Sequence, residues 1–301
     1  NRGKRMKRVI ALGFFDGVHL GHQALMKKTR ERAAELGAVP SVISFDQHPD
    51  TLVRGEPVPL INSVAGRKEL ISRIGGIDDI IMIHFDERFM HTPWQEFLRI
   101  VKEELGAVHL VIGYDFCCGW RGEGTAERIA RWCAENGLGC DAVGKVVLDG
   151  VTVSSTYIRS LVAGGEMEKA DRYLGHPHVL IDTVGYGYRI GRQIGAPTIN
   201  TRIPEGVIVP RRGVYATRVW LPDGARAAVT NIGVRPTFGE GNGLTVESNI
   251  LDFSGDLYGA QIRLEFFAFL RDERRFESPE ALREAIEKNI EQTRRYFRTH
   301  S

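Results

Sequence analysis

The run Gly13-Phe14-Phe15-Asp16-Gly17-Val18-His19-Leu20-Gly21-His22 constrains the fold more than any other part of the chain. It follows a short apolar stretch, Val9-Ile10-Ala11-Leu12, and precedes a helical pattern from Gln23 towards Leu36. The pattern predicts a strand, a glycine-rich turn and then a helix, with both histidines where the helix begins. Glycine lets the backbone approach a ligand, and a helix N-terminus offers unpaired N–H groups to phosphate. Gly13, Asp16, Gly17 and Gly21 are therefore candidate phosphate-loop positions. His19 and His22, three residues apart, can reach one object such as a nucleotide phosphate. Two plainer readings stand beside this one. A zinc pair on a helix sits at i and i+4 beside a glutamate, which this spacing does not match. Two polar residues can also simply order a turn.

The first half of the chain repeats that alternation. Strands are predicted at 41–45, 79–84, 109–113 and 141–147, and helices at about 124–136 and 166–174. Thr92-Pro93-Trp94-Gln95 reads as a helix start, with Thr92 as N-cap, Pro93 first and Gln95 completing a capping box. Trp94, Phe97, Leu98, Val101 and Leu105 then form a core stripe. Strands alternating with helices imply a parallel sheet with right-handed crossovers. Ligands bind beyond the carboxyl ends of such strands, where the loops at Asp16, Asp46 and Asp115 are expected to gather. In Val153-Ser154-Ser155-Thr156-Tyr157-Ile158-Arg159, hydroxyls at a helix start can hold phosphate and Arg159 supplies charge. A simple N-cap is the alternative.

Beyond about Val179 the texture changes. Short alternating runs at 179–184, 214–221, 225–231, 244–251 and 261–270 predict an antiparallel barrel or sandwich. A long closing helix starts at Ser278-Pro279, with Leu282, Ile286, Ile290 and Phe297 as its buried stripe. With 301 residues the chain can build two cores, here divided as 1–178 and 179–301.

A second constellation runs from Gly187 to Asn200. The glycines Gly187, Gly191 and Gly195 with Arg192 suit phosphate oxygens. Thr198 and Asn200, two apart on an extended segment, face one side, and their oxygens suit Mg²⁺. The loop lacks the Gly-Lys-Ser/Thr of a Walker A motif. A hairpin with a polar turn is its plain alternative.

Together these motifs resemble one family across nearly the whole chain. His-x-Gly-His is similar to the signature of the nucleotidyltransferase superfamily, which includes class I aminoacyl-tRNA synthetases. The longer Gly-Phe-Phe-Asp-Gly-Val-His-Leu-Gly-His-Gln resembles the start of bacterial bifunctional riboflavin kinase/FAD synthetases. Gly-x-x-x-Gly-Arg-x-x-Gly-x-Pro-Thr-x-Asn resembles the ATP- and magnesium-binding segment of riboflavin kinases. Gly213-Val214-Tyr215, the run from Asn231 to Phe238, Glu247, Tyr258-Gly259 and Phe269-Leu270-Arg271-Asp272 follow in that family's order.

The resemblance implies an α/β, Rossmann-like nucleotidyltransferase domain with a parallel sheet, then an antiparallel β-barrel riboflavin kinase domain with a closing helix. It implies that riboflavin is phosphorylated to FMN with Mg²⁺ and ATP, and that FMN is adenylylated to FAD with release of pyrophosphate. In that scheme Glu247 is the base on the ribityl hydroxyl, Thr198 and Asn200 serve Mg-ATP, and Arg271 contacts the flavin. His19 and His22 stabilise charge on the α-phosphate, Asp115 belongs to the nucleotide site, and Ser155, Thr156 and Arg159 hold the leaving phosphates.

Two stretches depart from the family pattern. Cys117-Cys118-Gly119-Trp120-Arg121 stands where the family has Arg-Phe-Gly and a basic stretch, and Tyr157 stands where it has Arg. They leave open a kinase whose adenylyltransferase domain no longer reacts. A non-catalytic flavin- or nucleotide-sensing protein is a further alternative, opposed by intact Thr198, Asn200 and Glu247. A net charge of +2, from 40 basic and 38 acidic residues, argues against a nucleic-acid partner. No apolar run reaches the ~18–20 residues of a membrane helix. Lys4, Arg5, Lys7 and Arg8 precede an apolar run that stops at Phe15-Asp16, which predicts a first strand and not a signal peptide. Met6 is read as a natural start. Cys117, Cys118, Cys133 and Cys140 form no C-x-x-C pair, so reduced thiols and a cytoplasmic location are expected.

Overall fold

The computed structural model describes residues 6–185, 198–235 and 243–300. The predicted phosphate positions Gly187, Gly191, Arg192 and Gly195 lie outside them. The chain forms two compact units, Asn1–Leu60 with Arg67–Ser155, and Ile61–Gly66 with Thr156–Ser301.

In the first unit the chain runs through β1 (Arg8–Leu12), α1 (Leu20–Leu36), β2 (Val39–Phe45), α2 (Pro49–Arg54), α3 (Val64–Arg73) and β3 (Asp79–Ile83). It continues through α4 (Glu87–Met90), α5 (Trp94–Glu103), β4 (Ala107–Gly113), the short pair β5 (Cys117–Cys118) and β6 (Gly124–Thr125), α6 (Ala126–Glu135) and β7 (Gly139–Val143). The pair β8 (Val147–Leu148) and β9 (Val151–Thr152) ends it. Strands β3-β2-β1-β4-β7 form a wholly parallel sheet in that order. The chain winds outward from β1 to β3 and then crosses back to β4 on the other side. The order therefore reverses between β1 and β4, which opens a crevice at their carboxyl ends.

Central strands covered on both faces are continuously apolar. Val9, Ile10, Ala11 and Leu12 are all buried, as are Leu110, Val111 and Ile112. The amino ends of the strands are tied by charge. Arg8 Nε donates to Asp79 Oδ2 at 2.7 Å, and Ser41 Oγ donates to the same oxygen at 2.5 Å. The core stripe of α5 is as expected, with Trp94, Phe97, Leu98 and Val101 buried. Its start differs: Pro93 is the N-cap residue and makes no side-chain cap. Thr92 instead donates to the Arg88 carbonyl at 3.1 Å, because α4 ends immediately before it and leaves that carbonyl without a helical partner.

Helix α7 (Ser155–Gly164) begins on Ser155, the last residue of the first unit, and runs on in the second, where it and α8 (Met167–Leu174) precede β10 (His178–Thr183), β11 (Thr198–Thr201), β12 (Gly213–Leu221), β13 (Gly224–Arg235), β14 (Gly243–Ile250) and β15 (Gln261–Arg271). The helix α9 (Pro279–Thr299) follows. The six strands form one antiparallel sheet in the order β10-β15-β12-β13-β14-β11. Its two edges meet at a bridge in which Gly185 N donates to Asn200 O at 2.9 Å, which curls the sheet into the expected barrel form. Tyr215 and Phe266 pack edge to face in the core, ring centroids 5.4 Å apart. Beside them runs a buried hydroxyl chain, Thr217 to Thr230 at 2.7 Å and Thr230 to Ser248 at 2.8 Å. These hydroxyls satisfy one another where water is excluded.

Helix α9 starts as predicted: Ser278 Oγ accepts from Ala281 N at 3.1 Å, and Pro279 follows at the first helical position. Its fully buried line, however, is Ala285, Asn289 and Thr293, with Leu282, Ile286, Ile290 and Phe297 half-buried alongside. The fully buried positions carry the smaller side chains, and the larger apolar ones flank them. Helix α8 buries Met167, Ala170, Tyr173 and Leu174, packing on β10 and β15. Both α7 and α8 therefore cluster with the antiparallel sheet, upstream of the 178/179 division suggested by sequence texture. Among the described residues no helix is long and apolar enough to cross a membrane.

Candidate active sites

Beyond β1, Gly13 N closes the last rung of the sheet on the Ile43 carbonyl at 3.2 Å. The chain then turns through left-handed backbone at Phe15 (φ 60), Gly17 (φ 84) and Val18 (φ 45). For a β-branched residue such as Val18 this conformation is a real outlier, and it persists only where the surroundings over-determine it. Four side chains hold the loop by its carbonyls. Ser44 Oγ and Arg67 Nη1 donate to Phe14 O at 2.8 and 2.9 Å. Ser155 Oγ donates to Asp16 O and Gln23 Nε2 to Val18 O, both at 2.9 Å.

Arg67 has no sequence signal of its own, since a lone arginine on α3 reads as a solvated residue. In the fold it is fully buried. Its Nη2 reaches the Phe45 carbonyl at 2.6 Å, and its guanidinium lies 4.1 Å from the Phe14 ring centroid. It thus clamps the ends of β1 and β2 together. Burial pulls its pKa down to about 10, against the attraction of Asp16 and Asp46.

The two histidines meet at the start of α1. His19 is the N-cap of α1, and its Nδ1 accepts from His22 N at 3.3 Å. In neutral His19 the proton therefore sits on Nε2. The rings stack at 3.5 Å between centroids and 17° between planes. Gly21 leaves room for that stack, because a Cβ there would lie 3.1 Å from His19 Cε1. His22 Nδ1 is buried with no hydrogen-bond partner among the described residues. Such an atom is an opening for a ligand. Burial, then the neighbouring His19 and Arg67, drives the His22 pKa well below the usual imidazole value, so it is neutral at physiological pH.

These groups face a cavity of about 270 Å³ at the reversal between β1 and β4. Gly13, Phe14, Gly21, His19 and His22 line it from one side. Asp115 and its neighbours after β4, the turn after β7, and Ser154 and Ser155 at the start of α7 complete the wall. Asp16 and Gly17 shape the loop but do not line the cavity, and neither does Asp46. The Asp46 carboxylate is instead taken by His84 Nδ1 at 2.6 Å and Phe85 N at 2.9 Å. Those bonds outweigh burial and lower its pKa, while the pair raises that of His84.

The two departures from the family pattern are ordered. Cys117–Cys118 pairs with Gly124–Thr125 in a small hairpin. A Cβ at Gly119 or Gly124 would approach Trp94 Cβ to 2.7 or 2.8 Å, so glycine lets the hairpin lie directly on the start of α5. Trp120 stacks on His91 with centroids 4.2 Å apart. Thr156 and Arg159 lie on α7 in the second unit, where the Tyr157 ring meets Tyr173 edge to face at 5.0 Å.

The second site is built by strand register. Asn200 on β11 lies directly opposite Glu247 on β14, which lies opposite Asn231 on β13. Thr198 lies opposite Asn249 in the same way. Directly paired residues share a face, with Cβ atoms about 4.5–5.5 Å apart. Val246 and Ser248 point into the core, which leaves Glu247 and Asn249 on the other face with Thr198, Asn200 and Asn231. Asn231 opens the family-like run to Phe238, but Asn249 has no sequence signal of its own, and the pairing of either is not visible in one strand. At Gly233 a Cβ would meet Glu273 Oε1 at 2.2 Å and Asn231 Nδ2 at 3.1 Å. Glycine there admits the Glu273 carboxylate beside Asn231. Arg271, at the end of β15, donates through Nε to Asn289 Oδ1 of α9 at 3.1 Å, and its pKa is lowered by burial and by Arg274.

Comparison with known proteins gives two family matches, FAD synthetase over residues 2–157 and riboflavin kinase over residues 174–297. The bifunctional riboflavin kinase/FMN adenylyltransferase of Listeria monocytogenes is 33% identical over 294 residues, covering 97% of this chain and 93% of that protein. Those of Pseudomonas fluorescens and Bacillus subtilis are 36% and 34% identical, covering 94% and 98% of this chain and 90% and 94% of their own. A crystal structure described as a macrolide-efflux protein from Streptococcus pneumoniae superimposes with a TM-score of 0.85 at 28% identity, covering 97% of this chain and 95% of that one.

Proposed function

The chain belongs to the bifunctional riboflavin kinase/FMN adenylyltransferase family, and from that premise we propose how its two sites divide the chemistry. It is a transferase of flavin cofactor biosynthesis, with both catalytic families present. Residues 179–301 carry riboflavin phosphorylation, and residues 1–178 carry adenylyl transfer to FMN.

In the kinase half, Glu247 takes the proton of the riboflavin 5′-hydroxyl as that oxygen attacks the γ-phosphorus of ATP and ADP leaves. The observation that carries this reading is the register that sets Glu247 directly opposite Asn200. The donor set fits a hard cation. Thr198 and Asn200 present oxygens on one strand face, and among the described residues no cluster of three His, Cys, Asp or Glu offers another kind of metal site. Mg²⁺ held there with ATP would neutralise phosphate charge. Arg271 contacts the flavin.

In the adenylyltransferase half, an FMN phosphate oxygen attacks the α-phosphorus of ATP and pyrophosphate leaves. His19 and His22 line the cavity, and His22 Nδ1, without a hydrogen-bond partner among the described residues, supports a role in contacting the phosphate. Ser155 pins the loop that presents them. The kinase-only and non-catalytic readings draw no support from these observations. A cytoplasmic location belongs to the proposal, supported by cysteine spacing.

The test is to incubate the protein with riboflavin, ATP and Mg²⁺ and to separate FMN from FAD. Both products are expected. FMN alone would overturn the adenylyl-transfer assignment, and neither product would overturn both.

A further inference from the structure

We propose that Lys145 is the cation that grips the nucleotide's phosphate chain in the N-terminal cavity. The inference rests on reading that cavity as the adenylyl-transfer site.

The argument is one of charge. ATP and the FMN phosphate bring several negative charges into a single cavity, and a low-dielectric pocket must compensate them. Of the described side chains that line it, Lys145 is the one lysine or arginine. His22 is held neutral by its burial. Asp115 adds a negative charge to the wall. Arg67, the cation behind the loop, is already engaged: both of its Nη atoms bind backbone carbonyls, it covers the Phe14 ring, and it does not line the cavity.

Lys145 is placed for the task. It follows the end of β7 by two residues, on the turn between Val143 and β8, at the carboxyl edge of the strand beside β4. Its side chain is exposed and makes no ion pair or hydrogen bond among the described residues, so no existing contact must break when a ligand arrives. Tyr157 has no such charge to offer. Its ring is packed on Tyr173, and Lys169 Nζ lies 5.7 Å from its centroid.

The step balances without a further reactant. A phosphate oxygen of FMN bonds to the α-phosphorus, the bond between that phosphorus and the bridging oxygen breaks, and pyrophosphate leaves with the electron pair. Lys145 takes no part in the bond changes and lowers the cost of charge gathering on the leaving group.

The test compares Lys145→Met and Lys145→Arg with the parent for FAD formation from FMN and ATP, with riboflavin phosphorylation measured on the same preparations. Lys145→Met is expected to lower kcat/KM for ATP by about 10- to 100-fold, the worth of one charge-assisted hydrogen bond. Inhibition by added pyrophosphate should weaken with it. Arg should restore most of both effects, and phosphorylation should not change. A Met variant with parental adenylyl-transfer kinetics and pyrophosphate inhibition would overturn the inference. His22→Ala separates the two levels of failure. If it abolishes FAD formation while Lys145→Met does nothing, only the role of Lys145 falls. If it too leaves FAD formation intact, the cavity assignment falls and this inference with it.

Discussion

Glu247 and Asn200 stand directly opposite one another across β14 and β11 although 47 positions separate them in the chain. The pairing puts a carboxylate and an amide on one face, at the edge where the Gly185 bridge joins the sheet. A strand glutamate is most often a solvated residue. Here its neighbours on both flanks are amides, Asn200 and Asn231.

Glu247→Gln keeps the shape and removes the base. Riboflavin phosphorylation is expected to fall by roughly 10²–10⁴-fold. ATP and riboflavin binding should change far less, and FAD formation from supplied FMN should persist. Product chromatography checks all three, and a Gln variant phosphorylating at the parental rate would leave Glu247 as scaffold.

Asn231→Asp would set a second carboxylate beside Glu247, where like charges directly opposite destabilise one another. The acidic limb of the pH–rate profile for phosphorylation should move to higher pH. Asn231→Ala should slow the reaction without moving that limb. An unmoved limb in the Asp variant would show that the two side chains do not interact.

Arg67→Met removes both donors to the Phe14 and Phe45 carbonyls. Each buried acceptor left unsatisfied costs about 1–3 kcal/mol. The first unit should melt earlier and FAD formation should fall, while phosphorylation by the second unit continues. Arg67→Lys should rescue little, because a single ammonium does not reproduce the planar fork that spans two carbonyls. Full rescue by Lys would show that the charge and not the clamp matters.

His178 is buried, and its pKa is pushed down to about 4, first by desolvation and then by His176. Its unfolded value lies near ~6.5. Between these values the unfolded chain binds more protons, so this group contributes stability above about pH 6.5 that is lost as pH falls towards 4, roughly 3 kcal/mol at the limit. Asp171, which accepts from His178 N, has a pKa raised well above the usual carboxylate value by burial and opposes this trend. Melting temperatures of the parent and His178→Leu should therefore be compared across that range. The variant should lose less stability on acidification, and parallel curves would contradict the assignment.

A fragment beginning at Val179 would lack α8, whose Met167, Ala170, Tyr173 and Leu174 are almost wholly buried. Burying large apolar side chains is worth about 1.5–3 kcal/mol each, against a total stability of roughly 5–15 kcal/mol for a domain. A fragment beginning at Ser154 is expected to melt cooperatively and phosphorylate riboflavin, and one beginning at Val179 to melt far lower or not cooperatively. Both lack Ile61 and Asn62, so the comparison isolates residues 154–178, which hold the two helices and the first residue of β10. Equal melts would show that α7 and α8 are dispensable to the barrel.

The sequence by itself determined whatever depends on neighbours along the chain. Strand, glycine turn and helix around His19 and His22 follow from local periodicity, as do the alternation that builds the parallel sheet and the Ser278-Pro279 start of α9. Thr198 and Asn200 share a face because side chains alternate along any strand. Contacts between distant residues were decided only by the tertiary structure. The clamp of Arg67 on Phe14 spans 53 positions and the bond from Ser155 to Asp16 spans 139, and no pattern near either end announces them. The same holds for the row Asn200, Glu247 and Asn231, since register is fixed by the partner strand and not by the strand itself. It holds also for α7 and α8, whose apolar faces signal burial but do not name the surface that buries them.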